Sequence, residues 1–455
     1  MNVDELRSIV GGAHVLTDPS VTGSYATDWT GRFIGSTSAV VRPGSTAEVA
    51  AVVKWCAATA MAVVPQGGNT GLVGGSVPLN GEIVLSLRRL DSVSAVAGIE
   101  GQLTAGAGAT IAGVQRAARD AGWDYGVDWG ARDTATIGGA IATNAGGSKV
   151  ARYGDTRAQV LGVEAVLGDG SVVSHLDGLV KDNTGYHLPS LLCGSEGTLG
   201  VITGARLKLV PRFDERVVAL LGFARVDDAL GACGTLRRSL PSLEAAELFF
   251  DDGLELVCST FGLPRPLSAP AVAYLLVECA DRVDPSDGVA SVVAELATVE
   301  VAVATTAGRR AELWRYREAH TEAINQIGPP HKLDVTLPAS ALAAFVDAVK
   351  ARVLAAEPSA QVWLFGHAAD GNLHVNVTGV DPADDRIDAA VLGLVAEHRG
   401  SISAEHGIGT AKKQWLHLNR SAAEIAAMRA IKRALDPAGI LNPNALLPES
   451  GPTRH

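Results

Sequence analysis

The chain has 455 residues, with 38 Lys or Arg against 49 Asp or Glu and a formal net charge of −11. With 47% hydrophobic and 19% charged residues, it is long and apolar enough for two or three packed domains, which excludes a disordered chain. The acidic balance argues against nucleic acid as the main partner, because phosphate binding needs clustered cations, yet a few local cations can still hold a small anion. Five scattered cysteines without a CxxC pair point to a reducing compartment and away from a thiolate zinc site. The polar start, Met1-Asn-Val-Asp-Glu-Leu-Arg7, lacks the apolar core of a signal peptide, and no apolar run is long enough for a membrane span. The expectation is a cytoplasmic protein, with peripheral membrane contact left open.

Glycine is in excess, and the excess is local. Of 51 glycines, 28 fall between Pro65 and Gly204, where even spacing would place about 16. Here helices are expected at 46–60 and 110–121, between short β-branched runs at 83–87, 160–166 and 171–173. Past Pro211 the texture changes to longer helices alternating with strands. Strands are expected at 271–278, 332–337, 361–367 and 372–377, and helices at 286–296, 311–327 and 340–355. The tail from Leu435 is rich in turn residues and is expected to fold back on the first domain.

The segment Val63-Val-Pro-Gln-Gly-Gly-Asn-Thr-Gly71 reads as a strand entering a glycine-dense turn. Glycines let backbone N–H groups converge on an anion, and a pyrophosphate suits such a turn. No Gly-Lys-Ser/Thr follows, so this is not a Walker loop, and no GxGxxG follows a strand, which argues against a nicotinamide cofactor. A plain tight turn is the competing reading for one loop alone.

Three histidines stand near other chemistry. Residues 361–377 read as a hairpin with Ala368-Ala-Asp-Gly371 at its tip. Leu373, Val375 and Val377 share one face, so His374 and Asn376 point to the other, and the hairpin can fold His367 back toward His374. Two imidazoles with a carboxylate suit a divalent metal such as zinc. Glu405-His406 lies in the glycine-flanked Ser403-Ala-Glu-His-Gly-Ile-Gly409. Arg317 and Thr321 lie four apart on an expected helix, and alternation puts Lys332 on the polar face of its strand. Taken alone, such an Arg and Lys read as solvated residues.

Three segments together carry a resemblance: Pro65-Gln-Gly-Gly-Asn-Thr-Gly-Leu-Val-Gly-Gly-Ser76, Thr136-Ile-Gly-Gly139 with Thr143-Asn-Ala-Gly-Gly147, and Gly194-Ser-Glu-Gly-Thr-Leu-Gly200. In order along nearly the whole chain, they resemble the FAD-binding fold of the vanillyl-alcohol oxidase/PCMH flavoprotein superfamily. Within it the chain is similar to the FAD-dependent 2-hydroxy-acid dehydrogenases acting on D-2-hydroxyglutarate, D-lactate or glycolate, and Gln66 and Lys181-Asp-Asn-Thr-Gly-Tyr186 lean toward the first. The resemblance implies an α+β fold. A PCMH-type FAD-binding domain of two subdomains (1–212) would be followed by an α/β substrate, or cap, domain (213–410) and a C-terminal segment returning to the flavin (411–455).

It also implies roles. Gly67, Gly68, Asn69, Thr70 and Gly71 would bind the FAD pyrophosphate, flanked by Pro65, Gln66 and Ser76. Thr136, Gly138, Gly139, Asn144, Glu196, Gly197, Ile202 and Asn442 would complete the cofactor site. No histidine occurs between His14 and His175, so a covalent FAD link from this loop is excluded. His367, His374 and Glu405 would hold the metal, and His406 would be the base. Arg317, Thr321, Lys332 and Asn376, with His406, would bind the substrate. Relatives usually carry glycine two residues after the first metal histidine, where this chain has Ala369, which puts the turn geometry in question rather than the ligands. The implied partners are a 2-hydroxy dicarboxylate and a separate electron acceptor, a quinone or an electron-transfer flavoprotein, with a homodimer as the expected assembly.

Overall fold

The computed structural model describes residues 3–449; the ends of the expected first domain and C-terminal segment, 1–2 and 450–455, lie outside it. Contacts divide the chain into two units. The first comprises residues 1–146, 154–211 and 405–455, and the second 147–153 and 212–404. Residues 405–410, grouped by sequence with the cap, thus fall in the first unit.

In the first unit the helix expected at 46–60 runs over Thr46–Thr59. Ser45 caps it by accepting from the Glu48 amide, and Ala60 ends it in the left-handed conformation. The helix expected at 110–121 is Ile111–Asp120, capped by Thr110. One four-stranded sheet has the order Val15–Leu16, Val40–Val41, Ile83–Ser86, Val63–Gln66. A second runs Gln102–Gly106, Val201–Lys208, Val160–Val166, Val172–Ser174. Both sheets bury their apolar residues in one continuous core that includes Val41, Val63, Leu85, Leu103, Val163 and Leu207. The C-terminal tail does return: the Val63 amide donates to Ile440 O at 2.9 Å, and the Asn442 amide donates to Val63 O at 2.9 Å. The tail therefore lies beside the strand that launches the glycine-rich turn.

The second unit is built on a seven-stranded antiparallel sheet. Its order is Glu300–Ala304, Glu215–Phe223, Ala273–Asp281, Leu243–Phe250, Gln361–His367, Asn372–Thr378, His331–Thr336. Ala339–Ala356 and Asp385–Glu397 pack together and on the sheet. Asp251–Phe261, Ala307–Glu318 and His320–Ile327 cover a face lined by Phe249, Tyr274, Leu276 and Phe365.

One helix departs from expectation. The stretch 311–327 is not continuous but breaks at Ala319, and the His320 ring Nδ1 meets Arg317 O at 3.2 Å. A side chain that competes for a helical carbonyl is a local cause of such breaks. Arg317 and Thr321 therefore sit on different helices rather than on one face of a single helix.

Candidate active site

The first unit holds the glycine-rich turn expected to bind the cofactor. Gln66, buried on its strand, donates its side-chain amide to Tyr25 O and Ser76 O, both at 2.9 Å. Asn69 takes a left-handed conformation (φ 56°), donates to Thr27 O at 2.8 Å and accepts from Ser76 Oγ at 2.8 Å. These side chains fold the turn, which leaves Gly67, Gly68, Thr70 and Gly71 as its half-buried or exposed rim. A Cβ on Gly67 would lie 2.1 Å from Thr136 Oγ1, and one on Gly68 would lie 2.1 Å from Thr134 O. The turn thus approaches the 134–139 segment more closely than any side chain allows. Gly138 donates its amide to Ala107 O at 2.8 Å, and Thr136 Oγ1 accepts from Gly139 N.

The remaining cofactor candidates gather beside it. Asn144, left-handed (φ 52°), donates to Asp155 at 2.7 Å and accepts from the Arg157 amide, so it braces its loop. Gly197 would place a Cβ 3.3 Å from the Pro65 ring, and Asn442 donates to Gly75 O and Glu196 O at 2.8 and 2.7 Å. Ile202 is buried at the start of Val201–Lys208.

The Glu196 side chain bonds a loop of the same unit. Its two carboxylate oxygens accept from Ile408 N at 2.8 Å and Gly409 N at 2.6 Å, and so clasp the loop that carries Glu405 and His406. Burial raises its pKa, opposed by those two hydrogen bonds and by the charge of the buried Lys412. Gly407 (φ +85°) would bring a Cβ to 3.0 Å from Glu196 Oε1, so the clasp also needs the glycine. Thr410 N and Ala411 N both donate to Val73 O, which pins the same loop to the glycine-rich turn. Glu405 and His406 offer ligand atoms within 4.8 Å of one another.

Strand register in the second unit explains which side chains meet. Lys332 pairs with Asn376, Asp334 with His374, and Thr336 with Asn372; His374 pairs in turn with Phe365, and Asn372 with His367. His367 is opposite Glu247, and Phe365 is opposite Phe249. Because side chains alternate, one face of four strands carries Lys332, Asp334, His374, Asn376, Phe365, His367 and Glu247. Leu333, Val335, Leu373 and Val375 take the other and are buried. Here the alternation predicted for His374, Asn376 and Lys332 is the observed one.

The face is charged and tightly paired. The Arg317 guanidinium lies 4.6 Å over the Phe365 ring and bonds Glu247 Oε2 at 2.8 Å. Glu247 Oε1 lies 2.6 Å from His367 Nδ1. His374 Nδ1 is 3.4 Å from Asp334 Oδ1, which also accepts from Asn372 at 2.7 Å, while Asp334 Oδ2 accepts from the Ala404 amide at 3.0 Å. Burial pushes the Glu247 pKa up, but His367 and Arg317 outweigh it and hold the carboxylate ionised. Burial brings Lys332 down to about 8. Burial, aided by the Arg317 charge, pushes His320 down to about 3, so that ring is neutral. Two buried donors on this side, Arg317 Nε and Asn376 Nδ2, have no hydrogen-bond partner. Orphaned buried donors are rare and mark a place for an acceptor.

Of this unit's metal-ligand candidates, His374 belongs with Asp334 to a group whose possible ligand atoms lie within 4.8 Å of one another, a group that does not include His367. His367 and His374 meet edge to face with ring centroids 5.5 Å apart, each with Nδ1 against a carboxylate. That is the donor chemistry of a zinc or similar site. Glu405 follows Ala404 directly in the chain. Sequence reasoning passed over Glu247, Asp334, Lys412 and Lys432. Asp334 was within reach, since it shares the alternation that places Lys332. Lys432, which donates to Thr198 O and Leu441 O at 2.7 and 2.6 Å, had no sequence signal.

Comparison with known proteins places this arrangement. A family model described as FAD binding domain matches residues 37–175, and one described as FAD linked oxidases, C-terminal domain, matches residues 213–446. The chain belongs to the FAD-linked oxidase family, and it binds FAD. Among its relatives is the D-2-hydroxyglutarate dehydrogenase of Xanthomonas citri pv. viticola, 39% identical over 97% of this chain and 96% of that one. The mitochondrial D-2-hydroxyglutarate dehydrogenase of Bos taurus is 37% identical over 97% of this chain and 82% of its own. Of solved structures, p-cresol methylhydroxylase with substrate bound superposes with a TM-score of 0.77 at 16% identity, covering 97% of this chain and 95% of the other. The 4-ethylphenol oxidase of Gulosibacter chungangensis gives 0.75 at 20%, with 98% and 97% covered. At such identities these structures establish the PCMH-type fold alone. The chain is an FAD-dependent oxidoreductase acting on CH–OH groups. Among the described residues no helix is long and apolar enough to cross a membrane.

Proposed function

We propose that this chain oxidises D-2-hydroxyglutarate to 2-oxoglutarate and would hold non-covalent FAD and a divalent metal, zinc, to do so. The carrying observation is the sheet face where Lys332, Asn376 and Arg317 supply donors beside His374, with Arg317 Nε and Asn376 Nδ2 unpartnered. An anionic carboxylate is an acceptor of the kind such donors call for. When bound, FAD would supply a hydride acceptor at flavin N5 and the metal would supply Lewis-acid activation of the C2 hydroxyl.

Everything else falls to side chains. Arg317 presents a planar fork already fixed by Phe365 and Glu247, and Lys332 adds a point charge; with Thr321 and Asn376 they hold the distal carboxylate. His367, His374 and Glu405 would hold the metal. His406 takes the hydroxyl proton, so that proton and hydride leave together as the 2-oxo acid forms. A quinone or an electron-transfer flavoprotein would be the separate electron acceptor.

A second reading is D-lactate oxidation. It is favoured by a Schizosaccharomyces pombe relative, provisionally named a mitochondrial D-lactate dehydrogenase, 35% identical over 96% of this chain and 86% of its own. Anaerobic flavin bleaching with each acid, before and after chelation, separates the two. Faster bleaching by D-2-hydroxyglutarate supports the first reading, and faster bleaching by D-lactate replaces it.

A further inference from the structure

Glu247 is 1% exposed in the strand Leu243–Phe250, every residue of which is buried. A carboxylate there must be offset by partners, and it has two: Arg317 Nη2 at 2.8 Å and His367 Nδ1 at 2.6 Å. Its two oxygens are divided, one to each. The Arg317 guanidinium is gripped from a second side by Phe365, 4.6 Å away, and Phe365 also packs against His374, with ring centroids 5.1 Å apart. One carboxylate thus touches both a residue assigned to the substrate and a residue assigned to the metal.

We infer that Glu247 is a positioning residue that sets the substrate clamp and a metal-binding imidazole in one fixed relation. This rests on the function proposed above. Glu247 Oε1 lies 2.6 Å from His367 Nδ1, and a carboxylate oxygen accepting there fixes the proton on Nδ1 and leaves Nε2 as the ligating atom. The pair Asp334–His374 repeats the arrangement on the neighbouring strand. Carboxylate–histidine pairs of this kind orient metal ligands and raise their basicity. Toward Arg317 the same group occupies Nη2 and holds the guanidinium plane, which directs the unpartnered Nε at the anion. Substrate selection and metal retention are therefore coupled through a single side chain that touches neither ligand.

The test uses purified holoenzyme carrying Glu247→Gln. The amide offers one acceptor and turns an N–H donor toward the second partner. Zinc affinity, read by competition with a chromophoric chelator, is expected to fall roughly 10–100-fold. The KM for D-2-hydroxyglutarate is expected to rise about 10-fold, the scale of one lost charged hydrogen bond, with little change for D-2-hydroxybutyrate, which lacks the distal carboxylate. Wild-type values for both readouts overturn the proposal. A lower KM for the dicarboxylate also overturns it, because Glu247 would then only damp the Arg317 charge. If Glu247→Gln does not fold, Glu247→Asp keeps the charge but is one methylene too short to reach both partners. Its zinc affinity should be reduced and its dicarboxylate preference weakened, and wild-type values overturn the proposal. Wild-type enzyme that neither binds zinc nor bleaches with D-2-hydroxyglutarate overturns the functional reading as well. Wild type that does both beside an unaffected Glu247→Gln removes Glu247 alone.

Discussion

Glu196→Gln probes the clasp that holds the His406 loop. In the native protein the carboxylate takes one hydrogen bond from Ile408 N and another from Gly409 N, in a site where Glu196 is 8% exposed. Glutamine retains one acceptor, so one buried amide loses its partner and faces an N–H donor. Leaving such a group unsatisfied costs about 1–3 kcal/mol. If hydroxyl deprotonation needs the clasped loop, that cost lowers the rate of flavin reduction roughly 10–100-fold. The assay is anaerobic stopped-flow reduction at saturating substrate, with the FAD-to-protein ratio measured on the same sample. The expected result is slow reduction with full FAD content. An unchanged rate refutes the clasp, and loss of FAD with a normal rate in the remaining holoenzyme shows that Glu196 serves the cofactor instead.

Three further outcomes follow from the geometry. Gly68→Ala puts a Cβ 2.1 Å from Thr134 O, so it should lower FAD occupancy on purification while the apoprotein folds; normal occupancy would show that the turn is not the cradle. Arg317→Ala should raise KM for D-2-hydroxyglutarate at least 10-fold more than for D-lactate, and equal losses would favour the lactate reading. Burial holds Lys332 at about 8, so the ammonium is present below that pH and lost above it. The KM for the dicarboxylate should therefore rise as pH passes through about 8, and Lys332→Arg should remove that rise because a guanidinium stays charged. A pH-independent KM between 7 and 9 contradicts the role of Lys332.

The sequence shows what local chemistry determines. The glycine excess pointed to residues 65–204, and its physical cause is visible at Gly67 and Gly68, where backbone packs on backbone. Alternation places His374, Asn376 and Lys332 on one face because the opposite face of their strands, His331 apart, is apolar. The same rule fails for Glu247, which stands in Leu-Glu-Ala-Ala-Glu-Leu-Phe-Phe, a strand buried on both faces and so without polar alternation. Its partners lie 70 and 120 positions along the chain, and no local pattern encodes them. The helix break at Ala319 was hidden likewise, since it depends on where the buried His320 ring points. Glu196 is the opposite case. Its motif was plain, but whether it faces the cofactor or the loop at 405–409 is a tertiary fact.

The central claim is that this flavoprotein takes hydride from a D-2-hydroxy dicarboxylate, with His406 as base. Its most direct test is the absorbance of bound flavin during anaerobic addition of D-2-hydroxyglutarate, in the native protein and in His406→Asn. The account predicts rapid bleaching in the native protein. In the variant it predicts bleaching slowed by about 10²–10⁴-fold with FAD still bound, the usual scale for loss of a general base. Equal bleaching in both proteins, or bleaching of the native protein by the L enantiomer but not the D, would contradict it.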